Sequence, residues 1–478
     1  MCRSKRGGWG VLVLLLGLWT ALGACAAPLP AALSTHLPTA PVQKGSAPRV
    51  EGHGFTARLR LVGPLSAGEA VSIALAQNLR LAIAHQDVLR ATAARFAAAS
   101  ALGVQVSTTV VGAMQTSGMI YPGAPGVDPV FYAHLGDRNA VDVNLMAMVP
   151  LFTGGRLEAL LRGARAREKA ELAREAWQLL DVARAARVAY GRVLFAAGQQ
   201  RVAAWDVAQQ RENLDLVEKE FRAGHLAWYV VLRARAELAH ARQRNNDAQA
   251  AATIARADLK EVMGVDMASH LVCTDPLRLP VAARRESEEM RTALARRPDL
   301  IAARFDVTAA AQALAAARAR YAPALYGVGM LEGMEQLGHH GPSTWEGGYS
   351  VGAELSIPLF DGGERRAEVR ASQAGERRHA LEVAALELAV TRQVVTARAT
   401  LAAALANVGL SAQEVIRGRE DLRLARLRFE MGRSIQLEII DALDALARAR
   451  NDRVAAVYRA TVARADLLRA TGRLRETR

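Results

Sequence analysis

Two runs of nine residues alternate apolar and polar side chains without a break. In 141–149, Val141, Val143, Leu145, Ala147 and Val149 interleave with Asp142, Asn144, Met146 and Met148; in 349–357, Tyr349, Val351, Ala353, Leu355 and Ile357 interleave with Ser350, Gly352, Glu354 and Ser356. A period of two predicts strands with one apolar face, long enough to cross a bilayer when tilted. Their earlier partners, 104–114 and 324–332, alternate less cleanly and are assigned to strands mainly from position. Gly- and Pro-rich stretches at 115–139 and 333–347 are the expected loops between partners, and Tyr121, Phe131, Tyr132 and Trp345 near the strand ends suit an aromatic girdle.

After each run the period becomes helical. Residues 156–222 and 364–430 hold no proline, and unbroken helices of that length would extend roughly 100 Å. Their faces carry too many Arg and Glu for lipid, while Leu214, Val217 and Phe221, matched by Leu422, Ala425 and Phe429, have the spacing of a packed helical seam. Gly198 is a candidate interruption. Gly224 and Gly432 stand where the chain can reverse, because glycine supplies the left-handed geometry that ends a helix; returning helices are expected over 228–263 and 436–471. Upstream, 66–102 reads as a helix whose Ser66 and Glu69 form a capping box, with a partner over 287–322.

These elements come in duplicate. Pro150-Leu151-Phe152-Thr153-Gly154-Gly155 and Pro358-Leu359-Phe360-Asp361-Gly362-Gly363 lie 208 positions apart, and the offset persists downstream, placing Phe221 on Phe429, Gly224 on Gly432 and Gly264 on Gly472. Each phrase is a strand-to-helix junction: proline lacks the ladder donor and suits a strand end, and paired glycine permits a sharp turn. Upstream the offset is 219, so the first loop is longer by eleven residues. A tandem repeat follows, with repeat 1 at 66–263, a linker at 264–286 and repeat 2 at 287–472. Each repeat reads helix, two strands, long helix, turn, returning helix. Residues 27–65 read as an extended tether.

Residues 1–26 have a charged start, an apolar core too short to span a bilayer and a small-residue end, as in a secretory signal. Leu22-Gly23-Ala24-Cys25 resembles a bacterial lipobox, with Cys25 the acylated residue; cleavage after Ala26 is the alternative. The mature chain then keeps at most Cys25 and Cys273, so no disulfide framework is available. Aromatics are only 5% and Ala, Arg and Leu dominate, as in long helices. The net charge of +14 comes almost wholly from arginines spread among Glu and Asp, the signature of solvated helix faces rather than of a nucleic-acid patch. No GxxxxGK[ST], HExxH, GxSxG or CxxC occurs, so there is no support for a nucleotide, zinc, hydrolase or redox site. His339-His340 lacks a third ligand, Cys273 reads as a linker residue, and Met146 and Met148 read as packing within a barrel. The chain is expected to be no enzyme, to have no catalytic residue or metal site and to need no cofactor.

The duplicated Pro-Leu-Phe-x-Gly-Gly phrase, Arg297-Pro298-Asp299-Leu300 opening a helix, and Arg428-Phe429-Glu430-Met431-Gly432 before a second helix together resemble the TolC family of outer-membrane efflux and secretion channels, over roughly residues 66 to 472. Four strands cannot close a barrel, and lipid does not tolerate open edges, so the barrel must be shared between chains; chain arithmetic allows two, three or four copies, and the resemblance selects three. It implies an α+β membrane protein: a shared transmembrane β-barrel with four strands per chain, in outer-membrane lipid, continued by an antiparallel α-helical coiled-coil barrel into the periplasm. It also implies passive conduction, with an inner-membrane pump and a periplasmic adaptor as partners. The tips Arg222, Gly224, Phe429 and Gly432 resemble the adaptor-docking turns, and Glu438 and Asp441 resemble an acidic constriction. The family's resting lock has no match, since its positions fall on Phe429, Ser434 and Val230; apolar packing of Phe221 and Phe429 is the substitute expected. The rival reading is an exported periplasmic coiled coil or a polyanion-binding protein, which the alternating nonamers and junction phrases argue against.

Overall fold

The structure is a computed structural model that describes residues 60–120, 132–276, 285–337 and 344–473. The signal segment with Cys25, Tyr121, Phe131, Pro280 and His339-His340 lie outside the described residues. In chain order the elements are β1 (Val62–Leu65), α1 (Ala67–Gln77), α2 (Leu79–Ser100), β2 (Gln105–Ile120), β3 (Tyr132–Phe152), α3 (Arg156–Arg222), α4 (Trp228–Met263), β4 (His270–Cys273), α5 (Glu286–Arg296), α6 (Pro298–Ala319), β5 (Ala324–Leu337), β6 (Thr344–Ser356), α7 (Glu364–Glu430) and α8 (Gln436–Ala470). The halves match in order, and α3 and α7 are each 67 residues long.

The strands are longer than the alternation predicted. β2, β3, β5 and β6 form one antiparallel sheet in the order β2-β3-β5-β6, and the pairing runs through most of both expected loops. Main-chain hydrogen bonds need no side-chain alternation, so the ladder continues past the point where the period-two signal stops. Pro150 lies inside the paired part of β3, where the register slips between Pro150 and Phe152. The bulge removes the need for the donor that proline lacks.

Each upstream helix, read as one, is two. Asn78 and Arg297 take extended backbone angles and break the helices. Arg297 precedes a proline, which disfavours helical geometry there. At Asn78 the side chain competes for the backbone: its Oδ1 accepts from the Arg80 amide at 2.9 Å and its Nδ2 donates to the Val262 carbonyl at 2.8 Å. Arg297 does the corresponding work in the other half. It forks onto Asp299 at 3.0 and 2.6 Å, donates to Gln393 at 2.8 Å and to the Ala470 carbonyl at 3.4 Å, and lies over the Trp177 ring. Both side chains thereby tie a helix break to the C-terminal end of a returning helix.

The tether and the linker are also corrected. The end of the tether and an inner part of the linker pair as a parallel two-stranded sheet, β1 with β4, and Leu61 and Leu65 are buried against α1, α3 and α4. Gly198 does not interrupt α3: it is buried, and a Cβ there would lie 2.6 Å from Val454 on α8. The capping box at Ser66 forms as expected.

Four helix ends close in one way. The amides of Gly224 and His225 donate to the carbonyls of Phe221 and Glu220, and the same pair of bonds forms at Gly264, Gly432 and Gly472. This is the Schellman arrangement, with each glycine in the left-handed region. Gly264 is under a second constraint, because a Cβ on it would meet the Gln77 carbonyl oxygen at 2.4 Å, whereas one on Gly224 meets nothing. Alanine at either site adds left-handed strain of about 1 kcal/mol. Gly264→Ala is therefore expected to lower the unfolding midpoint of the detergent-solubilised chain well below that of Gly224→Ala, followed by circular dichroism; equal midpoints would mean that the contact with α1 contributes nothing.

Candidate functional site

The two junctions fold alike but are held differently. Gly154, Gly155, Gly362 and Gly363 all turn with positive φ, and Pro150 and Pro358 precede them. In the first junction Thr153 is buried, and a Cβ on Gly154 would meet the Ala322 Cβ at 2.3 Å. In the second, Asp361 accepts from the amides of Gly363 at 3.1 Å and Arg365 at 3.0 Å and pairs with the Arg365 guanidinium, which also donates to the Pro358 carbonyl. Arg365 holds the Asp361 carboxyl down at about 2, helped by those amides. No counterpart of the Gly154 contact exists at Gly362, which faces open space within one chain.

At the tips Arg222, Gly224 and Gly432 are exposed and Phe429 is half-buried. The first tip carries an apolar apron: Phe221 packs on Trp228 with ring centroids 5.4 Å apart, the Arg235 guanidinium lies over Trp228, and Tyr229 is exposed. Phe429 instead packs into the core between α7 and α8. Phe221 and Phe429 thus each lie in apolar packing, on separate hairpins of one chain.

Glu438 and Asp441 are exposed one turn apart at the start of α8. On the first hairpin Arg235 is engaged by Glu218 at 2.9 Å, and Arg233 is exposed. Three residues on, Asp444 continues the acidic row. Burial pushes its carboxyl up, Arg244 opposes this, and Asp206 and Asp441 add to it.

Sequence reasoning missed the group around Asp206. On α3, Asp206, Gln210 and Asn213 are buried one turn apart. Arg244 of α4 donates to Asp206 Oδ2 at 3.2 and 2.7 Å and reaches to 3.9 Å from Asp444 of α8. Gln436 of α8 donates to Asn213 Oδ1 at 3.3 Å, while Asp206 Oδ1, both Gln210 side-chain atoms and Asn213 Nδ2 have no partner. The available signal was Gln210, a polar residue in the apolar series Ala203, Val207, Leu214, Val217, Phe221. Among the described residues no group of His, Cys, Asp or Glu is placed to hold a metal. Cys273 lies in β4, where burial pushes its thiol up to about 11, the opposite of a reactive thiolate.

A family model described as outer membrane efflux protein matches residues 70–265 and 290–473. Similar curated proteins include the outer membrane efflux protein BepC of Brucella suis, 28% identical over 58% of this chain and 63% of BepC, and protein CyaE of Bordetella pertussis, 29% identical over 56% of this chain and 58% of CyaE. The fusaric acid resistance protein FusA of Burkholderia cepacia is 30% identical over 35% of this chain and 32% of FusA. The chain therefore spans between a third and just under two thirds of these relatives' lengths. Among solved structures, the outer-membrane channel OprN matches with TM-score 0.72 and 22% identity over 85% of this chain and 89% of OprN, and VceC of Vibrio cholerae with 0.71 and 18% over 85% and 96%. At those identities the likeness is one of fold. The family match covers most of the chain, both long hairpins included: this chain belongs to the outer membrane efflux protein family, a channel-class protein of the outer membrane extending into the periplasm, and not an enzyme.

Proposed function

We propose that the chain assembles as a homotrimer into a twelve-strand outer-membrane barrel continued by a periplasmic helical tunnel. In this role it is the passive exit duct of a tripartite efflux pump or a type I secretion system. A periplasmic adaptor and an inner-membrane pump deliver the substrate and couple the energy. The observation that carries this reading is the four-stranded sheet with two free edges, β2 and β6, and an exposed apolar row on β6, Tyr349, Val351 and Leu355. Unpaired strand edges cannot face lipid.

The helices support the same assembly. Ala173, Leu180 and Val202 on α3 are buried against its neighbours, whereas the residues 208 positions later, Leu381, Leu388 and Leu410 on α7, are 70%, 74% and 58% exposed. In the first half α3 packs on α6 and α8 as well as on α4; for α7 the equivalent surfaces are α2 and α4 of the next copy. α2 has Ile83 and Phe96 exposed, and α4 has Ile254. The Arg184–Asp466 ion pair within the chain likewise maps onto Arg392 and Asp258 across copies. By composition α6 and α7 could pass for membrane spans; on this reading their apolar surface faces protein. Leu388→Glu changes a residue exposed in the single chain, a kind of substitution worth at most about 0.5 kcal/mol to an isolated fold. It is expected to leave the chain monomeric in size-exclusion chromatography with light scattering; an intact trimer would remove α7 from the interface.

Gly224 and Gly432 mark the adaptor-docking turns. Proline at either site lacks the amide that closes its Schellman turn, so Gly224→Pro and Gly432→Pro are expected to abolish efflux in cells while trimers still reach the outer membrane. Normal efflux in both variants would refute docking there.

Glu438 and Asp441 form the acidic constriction, six carboxylates in a trimer. Like charges converging in a narrow passage favour cations. In planar-bilayer recordings, wild type is expected to be cation-selective and blocked by a trivalent cation from the tunnel side, and Glu438→Gln/Asp441→Asn to lose both properties. Equal selectivity and block would exclude the ring, and the absence of any conductance, with the protein recovered soluble, would favour a periplasmic coiled coil instead.

A further inference from the structure

The short sheet of β1 and β4 is protected on one side only. His270 and Thr274 donate their amides to the carbonyls of Leu61 and Leu65 at 3.0 and 3.1 Å. The amides and carbonyls of Leu271 and Cys273 therefore point the other way, along the outer edge of β4. Among the described residues no strand pairs with that edge. The opposite edge, on β1, contains Pro64, which is exposed and has no amide to donate. Proline there blunts the edge against a further strand. β4 carries no such block.

A cavity of 360 Å³ lies beside β4. Val193, Leu194 and Ala197 of α3 give it an apolar floor, and Arg256 and Lys260 of α4 give it a cationic wall. Lys260 uses one donor on the Met267 carbonyl at 2.7 Å, and Arg256 is exposed. Among the described residues no acidic side chain lines the cavity, so its two cations are not neutralised there. Leu271 and Cys273 are half-buried while His270 and Val272 are exposed. A strand laid along β4 would alternate in the same way, turning every second side chain inward over the floor and the cations. Arg256 and Lys260 are also set about 200° around α4 from Ile254 and Asp258, the side assigned above to the next copy. On that assignment the cavity stays open in the trimer.

We propose that β4 is a docking edge for an extended segment of a partner protein, one that alternates apolar and acidic residues on its inward face. The main-chain groups of Leu271 and Cys273 would pair with the added strand, and the cavity beside them would select its side chains. Apolar residues would cover Val193, Leu194 and Ala197. Arg256 and Lys260, one turn apart, would close on a carboxylate with charge-assisted hydrogen bonds. A basic residue at the same point would meet two like charges. The site asks nothing of the barrel, the tips or the acidic row on α8, so it stands apart from conduction.

The test is fluorescence anisotropy on the purified full-length trimer with a labelled, end-blocked hexapeptide, Thr-Val-Thr-Glu-Thr-Val. Wild type is expected to bind it, and to bind the same peptide with Lys in place of Glu about tenfold more weakly, the scale of one charge-assisted hydrogen bond. Arg256→Gln/Lys260→Gln is expected to lose the preference, and Arg256→Glu/Lys260→Glu to reverse it in favour of the Lys peptide. Ala197→Phe fills the floor and keeps both cations; it is expected to abolish binding of either peptide. N-methylation of alternate peptide amides separates strand pairing from simple charge attraction: one set should abolish binding to wild type and the other should leave it. No binding of the Glu peptide, equal binding of the Glu and Lys peptides, or equal loss from both methylated sets would each overturn the docking edge. Each of these readings is made on wild type, so none depends on a variant folding.

Discussion

A β-strand in hydrocarbon must pair every main-chain amide and carbonyl, and among the described residues the antiparallel sheet has four strands. The outer strands of the sheet, β2 and β6, each have one paired side. In water such edges could be blunted by charge or covered by a loop; in lipid only closure will serve. Three copies placing β6 of one beside β2 of the next would answer that demand, and the helical part would have to follow the same rotation. Leucines exposed on α7 where their counterparts on α3 are buried are what a wall continued by a neighbour requires. The sheet's edges and the bare face of α7 are thus one constraint met at two heights.

Within one chain the fold depends on how the helix breaks are anchored. Asn78 and Arg297 stand at corresponding points of the halves, and each donates to the last turn of a returning helix, at Val262 and Ala470. The side chains could hardly differ more. Asn78 is short and neutral and serves two backbone groups at once; Arg297 is long and charged and is affordable in a buried place only because Asp299, Gln393 and the Trp177 face satisfy it. Gly264 and Gly472 sit against these breaks and admit the backbone closely. One geometric problem has therefore been solved twice with different chemistry, which a repeat can do once its copies evolve apart.

How much of this could be read beforehand follows from the range of each signal. The junction phrases, the Ser66 capping box and the reversing glycines were legible because a few adjacent residues determine them. Arg297 was recognisable as a helix start because Pro298 follows it; Asn78 was not, since its reason for breaking a helix is the Val262 carbonyl nearly two hundred residues away. Strand ends were misjudged because the ladder outlasts the alternation. β1 was assigned to a tether because a four-residue strand acquires its identity from its partner β4. Of the candidate site, the tips could be placed from the reversing glycines, whereas Glu438 and Asp441 were singled out only by resemblance to the family. The group of Asp206, Arg244 and Asp444 was missed because each belongs to a different helix, and charged residues are so common on these faces that none stands out.

The uneven seam between the hairpins follows from the same economy of residues. A wall of paired helices packed uniformly with apolar side chains would be rigid from barrel to tip, and a wall polar throughout would not assemble. Here the apolar part lies near the strands, where Phe195, Gly198 and Tyr458 interlock, and the polar part lies near the tips, where Gln210 is fully buried with neither amide atom paired. An unpaired buried amide raises the energy of the closed form without weakening the open one. The ties that cross this lower stretch are polar, Arg244 toward Asp444 and Arg426 onto Gln209 and Glu212, where the upper stretch is held by interlocking rings. The change from apolar to polar packing along one pair of hairpins thus follows from which residues each stretch of helix turns toward its neighbour.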